Sequence, residues 1–232
     1  MECDGLVVEL IPIKEEDAMV RLLTNDGLIS FFARRAMNQK SPDYSALQPF
    51  SSGHYWISEG TQSGLRLKQA RLDKYHGFHY ATLPQLAVLE LIKETLSHVT
   101  IDGEAELVYG LVNQTIEAAS SPENAFLAAA RYLARLLDGL GWGLQLSQCV
   151  VCNAKTDIVG VSLPLGGFVC RKHYHPEEAM TLPAASMKLL HDLSTNAEIK
   201  LAPDGQVKPL IGLLAQHYLN ATGRPLNSVH LF

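Results

Sequence analysis

Cysteine is scarce in this chain: there are four, and three of them fall between residues 149 and 170. Long apolar runs are missing as well. None approaches the roughly 20 residues that a membrane helix needs. The first residues, Met1-Glu2-Cys3-Asp4, lack the basic-then-apolar pattern of a secretory signal. A cytoplasmic protein is expected, and there clustered cysteines bind metal more often than they pair. The dipeptide Gly-Lys never occurs, so a GxxxxGK[ST] phosphate loop is excluded and with it ATP hydrolysis of that class. GxSxG and HExxH are also absent, which removes two common hydrolase signatures. Positive charge is short too. The net charge is −5, from 19 basic and 24 acidic residues, whereas a strong nucleic-acid-binding domain is usually basic.

What is present is concentrated. Cys149-Val150-Val151-Cys152 is followed, after seventeen residues, by Cys170-Arg171-Lys172-His173. A two-residue spacer lets both side chains of a pair turn back onto one ion, and two such knuckles supply the four ligands of tetrahedral zinc. His173 is the expected fourth ligand, with His175 also in reach. Four protein ligands leave no position for water or substrate, so the metal would be structural. His175-Pro176-Glu177 does not make a deaminase: the order is reversed, and no proline precedes Cys149.

The basic residues gather in two local groups. Residues 1–80 hold nine basic and ten acidic side chains, and residues 81–232 ten and fourteen. Arg34, Arg35 and Lys40 occur with no acid between them. Arg66, Lys68, Arg71 and Lys74 are interrupted only by Asp73. Arg34-Arg35 ends a strand and enters a loop in which Asn38, Gln39, Lys40 and Ser41 can donate to phosphate oxygens. Tyr75, His76, Phe78, His79 and Tyr80 form an aromatic cluster: a base-stacking surface, or the apolar cover between barrel and helices.

Periodicity divides the chain. Strands are expected at 6–13, 18–24, 28–33, 46–57 (broken near Pro49 or Gly53) and 65–72, with Asn25-Asp26-Gly27 as a turn. Five short strands suggest a small closed barrel. From Pro84 the period becomes helical, with helices at 83–97, 104–119, 121–138, 184–193 and 207–220, and a linker near 74–83. On the third helix Arg131 and Arg135 are four apart on one side.

This order of parts resembles the RecO family of recombination mediators. The matching strings are Asp17–Thr24 with Gly27–Ser30, Ala33-Arg34-Arg35-Ala36, Ala46-Leu47-Gln48-Pro49-Phe50, Leu137–Gly143 leading into Cys149–Cys152, and Arg224–Ser228. The resemblance implies an α+β chain: a five-stranded OB-fold barrel over 1–80, then an all-helical domain over 81–232 with a zinc knuckle at about 146–180. It implies a non-enzymatic DNA-repair mediator that binds single- and double-stranded DNA and anneals complementary strands. With RecR it would load RecA onto gaps coated by single-stranded-DNA-binding protein. DNA contacts are expected at Arg34, Arg35, Lys40, Arg66, Lys68 and Arg71. Arg131 and Arg135 are expected to receive the binding protein's acidic C-terminal tail. Three features depart from the family: fewer cations after Arg35, an acidic net charge, and His173 where cysteine is commoner. Weak intrinsic DNA binding is therefore expected, with partners contributing more. The alternative is a protein-interaction adaptor of the same fold with little DNA binding.

Overall fold

Apolar residues at every second position build the first 75 residues into five strands, and a period near 3.6 builds most of the remainder into helices. The computed structural model describes residues 1–60, 64–77, 81–101, 103–195, 197–199 and 202–232. The strands are β1 (Glu2–Pro12), β2 (Ala18–Thr24), β3 (Gly27–Ala33), β4 (Ser51–Glu59) and β5 (Leu65–Tyr75). They close in the order β1-β2-β3-β5-β4. All neighbours are antiparallel except β3 and β5, which pair in parallel at Phe31↔Leu65 and Phe32↔Arg66. This is the OB-fold barrel. Where the parallel pairing stops, the Asp43 carboxylate accepts the Ala70 N–H at 2.7 Å.

Val7, Val20, Leu22, Phe31 and Ile57 fill the barrel, together with Tyr55, whose hydroxyl donates to Ala46 O at 2.7 Å. The expected strand at 46–57 needs correction. A 3-10 turn occupies Ser45–Leu47, and the strand starts at Ser51. Between them Phe50 adopts φ +63° and swings the chain into β4. Gly53 does not break the strand. The backbone oxygen of Arg71 passes 2.2 Å from where its Cβ would stand, so only glycine fits this crossing.

The helices are α1 (Leu83–His98), α2 (Ala105–Ala119), α3 (Ala125–Gly139), α4 (Ala184–Ser194) and α5 (Asp204–Thr222). α3 starts later than its sequence pattern suggests, because Pro122–Asn124 forms a 3-10 turn first. Its alanines at 128, 129, 130 and 134 are small enough for α1, α4 and α5 to close on it. The fully buried Tyr132 meets Thr95 of α1, hydroxyl to hydroxyl, at 2.7 Å. The Glu94 carboxylate accepts four hydrogen bonds, from both backbone N–H groups and both side chains of Asn227 and Ser228. They tie the final 3-10 turn, Asn227–Leu231, to α1. Between α3 and α4 lies a small sheet of β6 (Ile158–Ser162), β7 (Gly167–Cys170) and β8 (Met180–Thr181), in the order β7-β6-β8.

The chain divides into two compact units. One is Met1–Ala81 with Thr100–Asn113, and the other is Thr82–Val99 with Gln114–Phe232. No helix among the described residues is long and apolar enough to cross a membrane.

Candidate functional site

The knuckle cysteines converge. Cys149 and Cys152 lie on one turn, closed by Cys149 N–H to Ala154 O at 2.8 Å and Asn153 N–H to Cys149 O at 2.9 Å. Asn153 supplies the left-handed corner at φ +60°, a conformation asparagine tolerates well. Cys170 ends β7, and the 3-10 turn Arg171–His173 brings His173 back beside it. The donor atoms of Cys149, Cys152, Cys170 and His173 all lie within 4.8 Å of one another.

The spacing can be tested against an ion. Tetrahedral bonds of about 2.3 Å to sulfur and about 2.05 Å to nitrogen place donors about 3.8 Å apart for sulfur pairs and about 3.6 Å for sulfur and nitrogen. Cys152 Sγ and Cys170 Sγ are 3.8 Å apart. His173 Nδ1 lies 3.7 Å from Cys149 Sγ and 3.4 Å from Cys170 Sγ. A disulfide would need about 2.05 Å. The cluster is therefore compatible with one metal ion, and of the two expected histidines His173 joins it. Burial opposes ionisation of Cys149, but the N–H groups of Cys170, Cys152 and Val151 outweigh it and lower its pKa to about 6. A lowered thiol pKa favours the thiolate that a metal requires.

The cations of the barrel are held differently. The β2–β3 hairpin pairs Thr24↔Gly27 through Ala18↔Ala33. Continuing that register past the strand ends puts Asp17 opposite Arg34 and Glu16 opposite Arg35. Asp17 Oδ1 accepts the Arg35 N–H at 2.9 Å and holds Arg35 at φ +52°, a conformation that costs a non-glycine residue about 1–2 kcal/mol. Glu16 then takes Arg35 Nε at 3.5 Å and Asn38 Nδ2 at 2.7 Å. Arg71 pairs with Asp73 at 3.4 Å. Arg34, Lys40 and Lys68 are exposed, and among the described residues none has an ion-pair partner.

On β5 apolar and polar residues alternate at first: Leu65 and Leu67 pack on the core while Arg66 and Lys68 face solvent. The pairing then jumps from Ile57↔Leu67 to Trp56↔Gln69, leaving Lys68 as a bulge. The bulge reverses the phase, so Ala70 is buried and Arg71 returns to the outer side with Arg66. Across the outside of β2, β3 and β5, Met19 stands opposite Phe32 and Phe32 opposite Arg66. The Arg66 guanidinium lies 5.7 Å from the Phe32 ring centroid. A groove of about 330 Å³ opens along this row, lined by Met19, Ser30, Phe32, Gly60, Gly64 and Arg66 among others.

On α3, the two arginines reach the segment that follows α4. Arg135 Nη1 donates to Thr195 O at 3.3 Å, and Arg131 Nη2 donates to Ala197 O. Both are half-buried; burial first, and then Arg135, lower the Arg131 pKa. In the aromatic cluster, Ser52 Oγ and His76 Nε2 are 2.9 Å apart and Tyr75 is exposed. Phe78, His79 and Tyr80 lie outside the described residues.

Residues 1–75 match the family model for the N-terminal part of recombination protein O, and residues 81–230 match the model for its C-terminal part. The chain belongs to the RecO family. A DNA repair protein RecO from Lactobacillus delbrueckii subsp. bulgaricus is 24% identical over 200 residues, covering 84% of this chain and 79% of the relative. One from Lactobacillus acidophilus is 24% identical over 180 residues, covering 77% and 72%. One from Thermoanaerobacter sp. is 26% identical over 173 residues, covering 73% and 69%.

Within this RecO-family chain, the four expected metal ligands come together, and of the six expected DNA cations Arg35 and Arg71 are ion-paired. No motif in the sequence points to Phe32, Met19 or Glu16. Glu16 is legible from hairpin register alone, because a two-residue turn at Asn25-Asp26 dictates which residues face each other across the hairpin.

Proposed function

We propose that this chain is a non-enzymatic mediator of DNA repair and homologous recombination. It binds single- and double-stranded DNA and anneals complementary strands. With RecR it helps load RecA onto gaps coated by single-stranded-DNA-binding protein. The observation that carries this reading is the RecO family match across both parts of the chain. Relatives covering most of its length bear the name DNA repair protein RecO. The OB-fold barrel supports it, because such barrels grip single strands with their outer strands and end loops.

In this reading Arg34, Lys40 and Lys68, exposed and without ion-pair partners among the described residues, hold phosphates. Arg35, Arg66 and Arg71 are secondary contacts. Arg131 and Arg135 line the site for the acidic tail of the binding protein. One zinc ion, held by Cys149, Cys152, Cys170 and His173, braces the knuckle. Three thiolates and an imidazole suit zinc, and a filled tetrahedron supports a structural role.

A binding titration with a single-stranded oligonucleotide across salt tests the reading. Binding at low salt that weakens in Arg34→Ala/Lys68→Ala, together with strand annealing, is expected. No binding at 20 mM salt refutes it. One observation favours an interaction adaptor instead: Arg35 and Arg71 are both ion-paired. An adaptor would retain RecR and the tail peptide while showing no oligonucleotide binding.

A further inference from the structure

We propose that the groove beside Phe32 is a stacking slot for one unpaired nucleobase of a single strand, a base-reading subsite distinct from the phosphate contacts. The inference rests on the DNA-binding reading and goes beyond it, because it assigns a base to a place on the barrel and makes the protein sensitive to whether bases are unpaired.

The row Met19, Phe32, Arg66 crosses three adjacent strands, and each residue is fixed to the next by direct pairing. Phe32 is half-buried, so its ring is held by the sheet while part of it stays accessible. The Arg66 guanidinium, at 5.7 Å from the ring centroid, is near the outer limit of a cation–π contact. Arg66 is exposed and has no ion-pair partner among the described residues, so it can move outward without breaking a salt bridge. Two stacking intervals of about 3.4 Å each need roughly 6.8 Å between faces. An outward shift of the guanidinium of about 1 Å from its present distance comes close to that spacing. The groove is small: its volume of about 330 Å³ is at the bottom of the range for small-molecule sites, and it suits one planar ring.

The rim is made for this. A Cβ on Gly60 would stand 2.8 Å from Arg66 Nε, so glycine leaves the Arg66 side chain room at this rim. Gly60 N–H donates to Gly64 O at 2.6 Å and closes that rim. Ser30, exposed on the floor strand, offers a hydroxyl to a base edge. Among the described residues the lining carries no carboxylate, so none of them repels a strand whose phosphates lie on Arg34 and Lys68.

The test compares oligothymidylate with an abasic strand of equal length, which keeps the phosphates and removes the bases. Stacking on an aromatic is worth about 5- to 150-fold per base. The wild type should bind oligothymidylate more tightly than the abasic strand by that factor. Phe32→Leu, which keeps the apolar volume, and Arg66→Lys, which keeps the charge, should each shrink the gap with the salt slope unchanged. Phe32→Tyr should restore it. A single 2-aminopurine placed in the abasic strand should be quenched by the wild type and not by Phe32→Leu. Equal affinity for both strands overturns the slot and leaves DNA binding intact. Absence of binding to either strand overturns both.

Discussion

Glu16→Gln removes one negative charge from the loop that holds Arg35 while keeping a side chain of the same shape to meet Asn38. In the present structure Arg35 and Glu16 are 3.5 Å apart and each more than half exposed. Such a pair contributes only about 0–1 kcal/mol to stability, so the variant should fold normally. Its effect on DNA should be larger. With Arg35 and Arg71 ion-paired and Arg66 assigned to a base, Arg34, Lys40 and Lys68 are the three phosphate contacts of this reading, and each contributes about −0.7 to the slope of log K against log salt on a single strand, about −2.1 in all. Freeing Arg35 adds a fourth contact and steepens the slope to about −2.8. A rise from 50 to 200 mM salt should therefore weaken the wild type about 18-fold and Glu16→Gln about 50-fold. At low salt the variant should bind more tightly, since a unit charge about 7 Å from a phosphate in water is worth about 0.6 kcal/mol, close to threefold. Fluorescence anisotropy with a labelled oligonucleotide at five salt concentrations measures both quantities. Equal slopes for Glu16→Gln and wild type, or a wild-type slope that falls by 0.7 in Arg35→Ala, would show that Glu16 does not mask Arg35.

Other consequences are independent of DNA. The purified protein should carry one equivalent of zinc, released by thiol modification; Cys149→Ser or His173→Ala should lose it, and His175→Ala should keep it. Burial works against ionised Glu94, yet the four hydrogen bonds from Asn227 and Ser228 prevail and lower its pKa below the usual glutamate value. A lowered carboxylate pKa adds stability that is present at neutral pH and is lost as pH falls below the ordinary value near 4.3. Glu94→Gln should thus be less stable than wild type at pH 7, by about 1–2 kcal/mol after allowance for solvent exposure, with the difference closing as pH falls below the ordinary glutamate value. Thr95→Val should cost about 1–3 kcal/mol because it orphans the buried Tyr132 hydroxyl, whereas Tyr132→Phe should cost about 0.5–1.5 kcal/mol because Thr95 still donates to the carbonyls of Leu91 or Ile92. Chemical denaturation that ranks these two the other way would refute the assignment.

How much of this was legible beforehand depended on range. Residues 18–24 read as a strand with both ends right, because alternation and the following turn are local signals. The metal ligands were legible for the same reason: two-residue spacers are short-range geometry, and the 3-10 turn at Arg171–His173 decides between His173 and His175. The corner at Phe50 was not legible, since phenylalanine gives no hint of a left-handed φ. Nor was the outward turn of Arg71, which depends on a bulge at Lys68 that only the partner strand defines. The groove beside Phe32 needed the parallel β3–β5 pairing, a contact between residues over thirty positions apart. Arg131 and Arg135 read correctly as neighbours on one helix side, but the carbonyls they meet belong to a segment about sixty residues later.

The way the first unit is assembled bears on any attempt to dissect the molecule. The chain leaves that unit after Ala81, and returns to it for Thr100–Asn113, a stretch that carries the fully buried Val108 and Val112. A fragment stopping at the last barrel strand would be missing a piece of its own body. Trimming experiments on this protein should keep the sequence through Ala119, where α2 ends.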